Sequence, residues 1–323
     1  MMKRISFNFK WVALLATLLF GLGYWQATAH ADDTSDEPIV TLGSSLTSSQ
    51  KAGTIKTLTA ALSDSSNYQT LTVNGDTLVK YLNPAGESFT SSSGVWSSAM
   101  IEKTSSGSGI NVKILDYNGS NNITTITANQ YKNAALTAGI TDANIYITSA
   151  TPIDGSGALA GIYAAYAKNG NSLNTKQVTA AQNELSTLSG ITKENKNKDG
   201  YTDAQLNNAV AGAKSEMAKK GSNVTKNQIT TIVNQQITNN NLTNVITNNQ
   251  KTQIINLLVT IRDSGALNSS SFKTQASSLM KNIQSNAKGV FDKLNTKENQ
   301  NLLQQIWTAI VNFFSSIFKS IFG

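Results

Sequence analysis

The sequence predicts an α+β protein, in which an N-terminal α/β layer domain is followed by an all-helical C-terminal region ending in a long amphipathic helix. Two observations predict this fold class. Between residues 38 and 170, strand-like and helix-like stretches alternate, which is typical of a sheet covered by helices. From Thr175 onward the strand signals stop, and apolar residues recur every three to four positions.

The N-terminus has the features of an export signal. Three basic residues precede the apolar run at residues 11–25, which is shorter than the roughly 20 residues that a membrane span needs. Ala29-His30-Ala31 then fits the pattern that a signal peptidase accepts. We expect residues 1–31 to be removed as a signal peptide, with an uncleaved N-terminal anchor as the alternative. Residues 32–37 would form a short segment of a secreted, extracellular protein that is either free or associated with the cell surface.

Charge and cysteine content restrict the partners of the exported chain. Residues 1–31 hold three of the 26 basic residues and none of the 19 acidic ones, so their removal lowers the net charge from +7 to +4. No stretch concentrates enough Lys and Arg for nucleic acid, and we expect no nucleic-acid partner. A mildly basic balance suits a cell-wall polymer or a membrane surface. The absence of Cys indicates stability without disulfides, as in Gram-positive secretion.

The exported chain is also predicted to have no histidine. The single His of the sequence is His30, inside the predicted signal peptide. Without imidazole and thiol, the chain has no Ser-His-Asp or Cys-His nucleophile, and no zinc site built on those ligands. Carboxylate acid/base chemistry, a Ser-Lys nucleophile and an oxygen-only metal site remain open. No spacing points to any of them, so we assign no catalytic residue, metal ligand or cofactor.

The first half of the chain contains five strand-like stretches and three predicted helices. The strand-like stretches are rich in β-branched and aromatic residues and are bounded by Gly, Asn and Ser. They are residues 40–42, 68–73, 95–103, 110–117 and 143–148. The predicted helices are residues 47–62, which start with a capping box, 127–138 and 156–167.

A turn with ligand-binding potential precedes the third of these helices. Asp154, Gly155, Ser156 and Gly157 follow an apolar strand and open the helix, so their backbone amides are candidates for holding an anion. The same residues are those that a tight turn and a helix cap use, and we favour that reading over anion binding.

The second half is predicted to be a helical domain over residues 171–298. Its apolar stripes include Leu206, Val210, Ala213 and Met217. The Asn-rich stretch at residues 238–250 is expected to be a solvated loop or a hydrophilic helix face. Residues 195–206 have the spacing of a calcium loop, but Leu206 stands where a Glu is needed. Thr202 or Asp203 is therefore expected to cap a helix.

Residues 299–323 are predicted to form an amphipathic helix with a wide apolar face. We expect this face to contact either a membrane surface or the protein's own core, and we favour the core because Lys319 is the only charge on the helix. The aromatic residues proposed for the contact are Trp307, Phe313, Phe314, Phe318 and Phe322.

Two functional hypotheses follow from these patterns. The first is a non-enzymatic envelope protein that binds a partner or a wall polymer. The alternative is a hydrolase that acts on wall polymers through carboxylates. Its candidate residues near strand ends are Asp116, Asp142 and Asp154.

Several local motifs resemble those of a known family. They are VTLG at residues 40–43, NIT at 122–124, NAALTAG at 133–139 and ATPIDGSGALAGIYAAYA at 150–167. The chain resembles the YpuA-like family of secreted Gram-positive proteins, whose function is not known. The resemblance implies export and an extracellular role, and it supplies no catalytic residue.

Overall fold

A five-stranded sheet forms the first part of the chain in the computed structural model, which describes residues 37–294. The strands are β1 (Ile39–Gly43), β2 (Gln69–Val73), β3 (Ser97–Lys103), β4 (Ile110–Ile114) and β5 (Ala143–Ser149). Their order across the sheet is β2-β1-β3-β5-β4. The central strand β3 runs antiparallel to both of its neighbours, while β1 is parallel to β2 and β4 is parallel to β5. The other four strands therefore all end at the same edge of the sheet.

Both faces of the sheet are covered, so its inner strands are apolar on both sides. Ile39 of β1 belongs to the large hydrophobic core. Val40 and Leu42 belong to a smaller core with Met100 and Tyr146 on the opposite face. Successive side chains of a strand point to opposite faces, which explains this division.

Four helices belong to the sheet region. They are α1 (Ser48–Thr59), α2 (Gly75–Leu82), α3 (Ala128–Ala138) and α4 (Ser156–Lys168). Helices α2 and α4 pack together, and α4 crosses β1, β2 and β3, whereas Leu58 of α1 lies in the smaller core. The predicted capping box of α1 is confirmed, because the Thr47 and Gln50 side chains each accept the other's backbone N–H, at 3.3 and 2.9 Å.

The second half of the described chain is helical. Its helices are α5 (Thr175–Asn195), α6 (Asp203–Lys220), α7 (Lys226–Asn239), α8 (Asn248–Asp263), α9 (Ser270–Asn286) and α10 (Lys288–Leu294). Thr202 caps α6 by accepting the Gln205 N–H at 3.2 Å, as predicted. The Asn-rich stretch contains the loop between α7 and α8. Leu242 and Ile246 anchor this loop because both are buried.

Helix α3 connects the sheet to the helical half. Every residue from Gln130 to Ala138 in it is buried. The helix contacts β4 on one side and α5, α6 and α9 on the others. One hydrophobic core accordingly runs from Ile39 in the sheet to Ile283 in α9.

The α+β fold class is confirmed, and all five strands form at the predicted positions. Helix α2 was not predicted, although Leu78, Tyr81 and Leu82 have the helical spacing of one buried face. The predicted domain boundary at residue 170 falls in the loop between α4 and α5. The predicted signal peptide lies outside the described residues, as does the predicted C-terminal helix with Trp307, Phe313, Phe314, Phe318 and Phe322.

Candidate functional site

The turn formed by Asp154, Gly155, Ser156 and Gly157 is held by hydrogen bonds between its own residues. Asp154 Oδ1 accepts the Ser156 N–H at 3.0 Å, and Asp154 Oδ2 accepts the Ser156 hydroxyl at 2.7 Å. The Asp154 carboxylate therefore uses a first-turn amide that a bound anion would use. Anion binding by these four residues stays a prediction.

Packing explains both glycines of this turn. Gly155 has φ 108°, and a Cβ atom there would clash with the hydroxyl of Tyr131, which donates to Gly155 O at 2.8 Å. Gly157 lies against Val95 and Ser97 of the sheet region. Because Ser97 Oγ accepts the Ala158 N–H at 2.9 Å, the start of α4 is bonded directly to β3.

The three carboxylates of the hydrolase hypothesis lie at opposite edges of the sheet. Asp116 follows β4 and Asp154 follows β5, at the edge where these parallel strands end. Asp142 directly precedes β5, so the seven-residue strand separates it from Asp154. At about 3.3 Å per residue, the strand alone is about 20 Å long. The fold thus does not bring the three groups into one catalytic site.

Asp142 instead lines a cavity of about 140 Å³, which we call the Tyr166 cavity. The cavity opens at the end of β3, the start of β5 and the C-terminal end of α4. Its floor is apolar, with Ile101 and Ala143 from the sheet and Tyr166 from α4. The polar residues that line it are Lys103, Thr104, Ser106, Thr141, Asp142, Asn169 and Asn171.

The backbone and side chain of Asp142 are held in a defined position. Its φ of 49° lies in the left-handed region, which Asp tolerates better than most residues. Its Oδ1 atom accepts the Gly109 N–H at 2.9 Å and the Gln275 side-chain amide of α9 at 2.7 Å. These bonds leave Oδ2 without a hydrogen bond among the described residues, so one carboxylate oxygen is available to a ligand.

A second cavity, of about 250 Å³, adjoins the first at Asn171, and we call it the Tyr81 cavity. Lys80 and Tyr81 of α2 and Val178 of α5 are among its lining residues. Lys80 Nζ lies 4.9 Å from the centre of the Tyr81 ring, a cation–π contact. The two cavities flank the loop between α4 and α5.

A fully buried ion pair lies away from these cavities, between α3, α5 and α6. Lys214 Nζ is 2.9 Å from Glu184 Oε1, and both side chains are 0% exposed. Lys214 also donates to Asn133 O at 3.0 Å and to Thr137 Oγ1 at 3.3 Å, while the Thr137 hydroxyl donates to Glu184 Oε2 at 2.5 Å. Oxygen atoms of α3 and α5 thereby surround the Lys214 ammonium group.

This buried cluster fixes the helices and does not form a reaction site. Burial lowers the pKa of Lys214, and the adjacent Glu184 carboxylate opposes that shift. Neither side chain has exposed surface through which a substrate could reach it. The polar residues of α3 therefore serve to position α5 and α6 against it.

Within residues 37–294, no group of three or more Asp, Glu, His or Cys side chains is placed to hold a metal ion. In the same part of the chain, no helix combines the length and the apolarity that crossing a bilayer requires.

Comparison with known proteins identifies the family. A family model described as "Protein of unknown function (DUF1002)" matches residues 42–279, most of the chain. The chain belongs to this family. It is also 31% identical to an uncharacterized protein, YpuA, of Bacillus subtilis (strain 168), over 212 residues that make up 65% of this chain and 67% of the relative. The resemblance to the YpuA-like family is therefore confirmed, and no solved structure matches the chain.

The family match runs from the end of β1 to the middle of α9, and it includes β2 to β5 and α3. The matched region thus includes both cavities and the buried Lys214–Glu184 pair. Asp142 was a candidate from the sequence, but no sequence signal assigned its neighbours Tyr166, Asn169 and Asn171 to a site. The cavity arises from the meeting of β3, β5 and α4, which no local pattern reveals.

Proposed function

We propose that the protein is exported and acts in the cell envelope as a non-enzymatic binding protein, with the two cavities beside the α4–α5 loop as its binding surface. The N-terminal sequence pattern supports export. The family and its Bacillus subtilis relative carry no described activity, which is consistent with this role.

The composition of the Tyr166 cavity carries the proposal. Among its lining residues in the described chain, Asp142 is the single carboxylate, and the other polar groups are amides, hydroxyls and one Lys. Glycoside hydrolysis usually requires two carboxylates that flank the bond to be cleaved. An apolar floor with a few convergent polar groups is typical of a ligand-binding site.

Fractionation of an expressing Gram-positive host tests export. We expect the chain in the envelope or medium, with a mass that corresponds to an N-terminus at Asp32. Recovery in the cytoplasm with residues 1–31 attached would contradict the proposal.

Co-sedimentation tests binding. The chain recovered from the host is mixed with insoluble peptidoglycan, and separately with vesicles of phosphatidylglycerol and phosphatidylethanolamine. We expect saturable sedimentation with peptidoglycan and no soluble fragments after long incubation at several pH values. Release of fragments would support the hydrolase hypothesis, and sedimentation with vesicles alone would move the contact to the membrane.

A further inference from the structure

We propose that the Tyr166 and Tyr81 cavities form one cleft that takes a linear oligosaccharide, with one sugar unit in each cavity. This inference rests on the proposed binding function and adds the chemical class of the ligand.

The Tyr166 cavity contains hydrogen-bonding groups that have no hydrogen-bond partner among residues 37–294. Among the described residues, the side chains of Thr141 and Asn169 make no hydrogen bond, although both are half-buried. The Asn171 amide donates to Tyr166 O and Asn169 O, both at 3.2 Å, and its Oδ1 atom remains available. Asp142 Oδ2 is available as well. These groups include donors and acceptors, as the hydroxyls of a sugar require.

The apolar groups of the Tyr166 cavity suit the C–H faces of a sugar ring. Ile101 and Ala143 line the cavity but are only 4% and 2% exposed, so they close it with little accessible surface of their own. The Tyr166 side chain is half-buried, and its hydroxyl donates to Gly139 O at 3.4 Å. Its ring presents an apolar face beside a polar tip. A ligand with C–H groups on its faces and hydroxyls on its rim satisfies both kinds of surface.

The arrangement of the cavities points to a chain of sugar units. Both cavities are lined by Asn171, which stands where they adjoin. Their volumes of about 140 and 250 Å³ each exceed the roughly 10–15 Å³ that a cavity needs to hold one water, so each can take a larger group. A linear oligomer can occupy both at once.

The charge of the cleft favours an uncharged or weakly charged ligand. Lys103 and Asp142 line the Tyr166 cavity, and Lys80 is the charged residue in the lining of the Tyr81 cavity. Lys80 already contacts the Tyr81 ring. A polyphosphate chain would require several convergent cations, because each phosphate carries a charge that needs a partner. Neutral hydroxyl groups need no such cluster.

Titration calorimetry with peptide-free glycan strands from peptidoglycan tests the inference. The protein is used as the host exports it, and poly(glycerol phosphate) is the second probe. We expect saturable binding of the glycan strands and none of the phosphate polymer. Asn169→Ala and Tyr166→Ala should each weaken binding about 10-fold, the effect of losing one buried hydrogen bond or ring contact.

Two substitutions away from the cleft serve as matched controls. Asn234→Ala on α7 removes a half-buried Asn whose side chain makes no described hydrogen bond. Tyr68→Ala removes a half-buried Tyr that packs on the smaller core. Both should leave glycan affinity unchanged, with circular dichroism confirming that each variant is folded. Tyr166→Phe keeps the ring and should retain most of the affinity, even if Tyr166→Ala fails to fold.

The outcomes separate the two proposals. Sedimentation with peptidoglycan, without binding of free glycan strands, would overturn the ligand class and leave the binding function intact. Binding of poly(glycerol phosphate) in place of glycan would also overturn it, as would an equal loss of affinity in the cleft variants and the controls. Failure to sediment with peptidoglycan would contradict the proposed function itself.

Discussion

Lys214 and Glu184 form a buried ion pair. The pair stabilises the fold only when both partners are present. Lys214→Met would leave the Glu184 carboxylate buried with only the Thr137 hydroxyl as partner. We expect the free energy of unfolding to fall by about 3–5 kcal/mol, the typical result of breaking a buried pair. Replacing both residues, as Lys214→Met with Glu184→Leu, should restore much of that loss because no buried charge remains.

Urea denaturation measures this prediction, and an exposed ion pair supplies the control. Lys219 and Glu216 are 2.6 Å apart, but their side chains are 55% and 39% exposed. Lys219→Met should change the free energy of unfolding by about 1 kcal/mol or less, since water screens exposed pairs. A similar effect of Lys214→Met and Lys219→Met would show that the buried pair does not hold the helices.

The burial of three Tyr hydroxyl groups predicts that the free energy of unfolding falls at alkaline pH. Burial raises the pKa of Tyr131, Tyr163 and Tyr201, and a nearby carboxylate raises each of them further, while the Thr192 hydroxyl opposes part of the shift at Tyr201. The folded pKa values exceed the unfolded value of about 10, so their stabilisation is fully present below about pH 10. Above it, the unfolded chain releases protons that the folded chain keeps. Each of the three phenols should then lower the free energy of unfolding by about 1.4 kcal/mol per pH unit.

Urea denaturation across alkaline pH, with tyrosinate absorbance recorded in parallel, checks this expectation. Burial lowers the pKa of Lys132 and Lys214. The free energy of unfolding therefore gains from these two lysines as the pH rises, up to about pH 10.4, where lysines of the unfolded chain lose their protons. The decline should therefore be clearest above that pH. Titration of all tyrosines together, before any loss of helical signal, would contradict the buried position of the three phenols.

At the scale of elements, the start of α4 depends on one glycine. Gly155 and Gly119 both have positive φ, 108° and 80°, so alanine is strained at either position. A Cβ atom at Gly155 would also clash with Tyr131, whereas nothing in the described part of the chain lies within 4 Å of one at Gly119. Gly119→Ala should cost about 1 kcal/mol of unfolding free energy. Gly155→Ala should cost about 2 kcal/mol more, because the packed turn cannot yield.

Thermal and urea unfolding of the two variants provide the comparison. Tyr131→Phe combined with Gly155→Ala removes the atom that the new methyl group meets, and should recover part of the loss. Equal destabilisation by Gly119→Ala and Gly155→Ala would mean that backbone strain alone governs the turn.

The elements also show what the sequence could predict. Strands β1 to β5 and helices α1, α3 and α4 follow from composition, capping residues and periodicity, which are local signals. Helix α2 has only eight residues, and its N-cap is Asn74 with Thr77 in place of the expected Glu or Gln. The residues that line the cavities could not be predicted from such local signals. Asp142 and Tyr166 line one cavity only because β5 and α4 pack against each other.

At the scale of the molecule, α3 carries polar groups where a central helix would usually be apolar. Gln130 donates to Thr192 of α5 at 3.1 Å, and Asn133 donates to Asn207 Oδ1 of α6 at 3.0 Å. Lys132 donates to Asn282 of α9 at 2.7 Å. Each surrounding helix thus has its own polar partner on α3. Such bonds specify position, because a displaced helix would leave a buried polar group unpaired.

These contacts predict that the sheet and the helical half unfold together, although the sequence divides them at residue 170. Separation would strip Lys214 and Glu184 of Thr137 and would open the core shared from Ile39 to Ile283. Calorimetry of the purified chain should show one transition with equal calorimetric and van't Hoff enthalpies. Asn133→Ala, which removes a bond between α3 and α6, should lower the temperature of the whole transition. Two transitions, with only one shifted by Asn133→Ala, would show instead that the halves are thermodynamically independent and that α3 belongs to one of them.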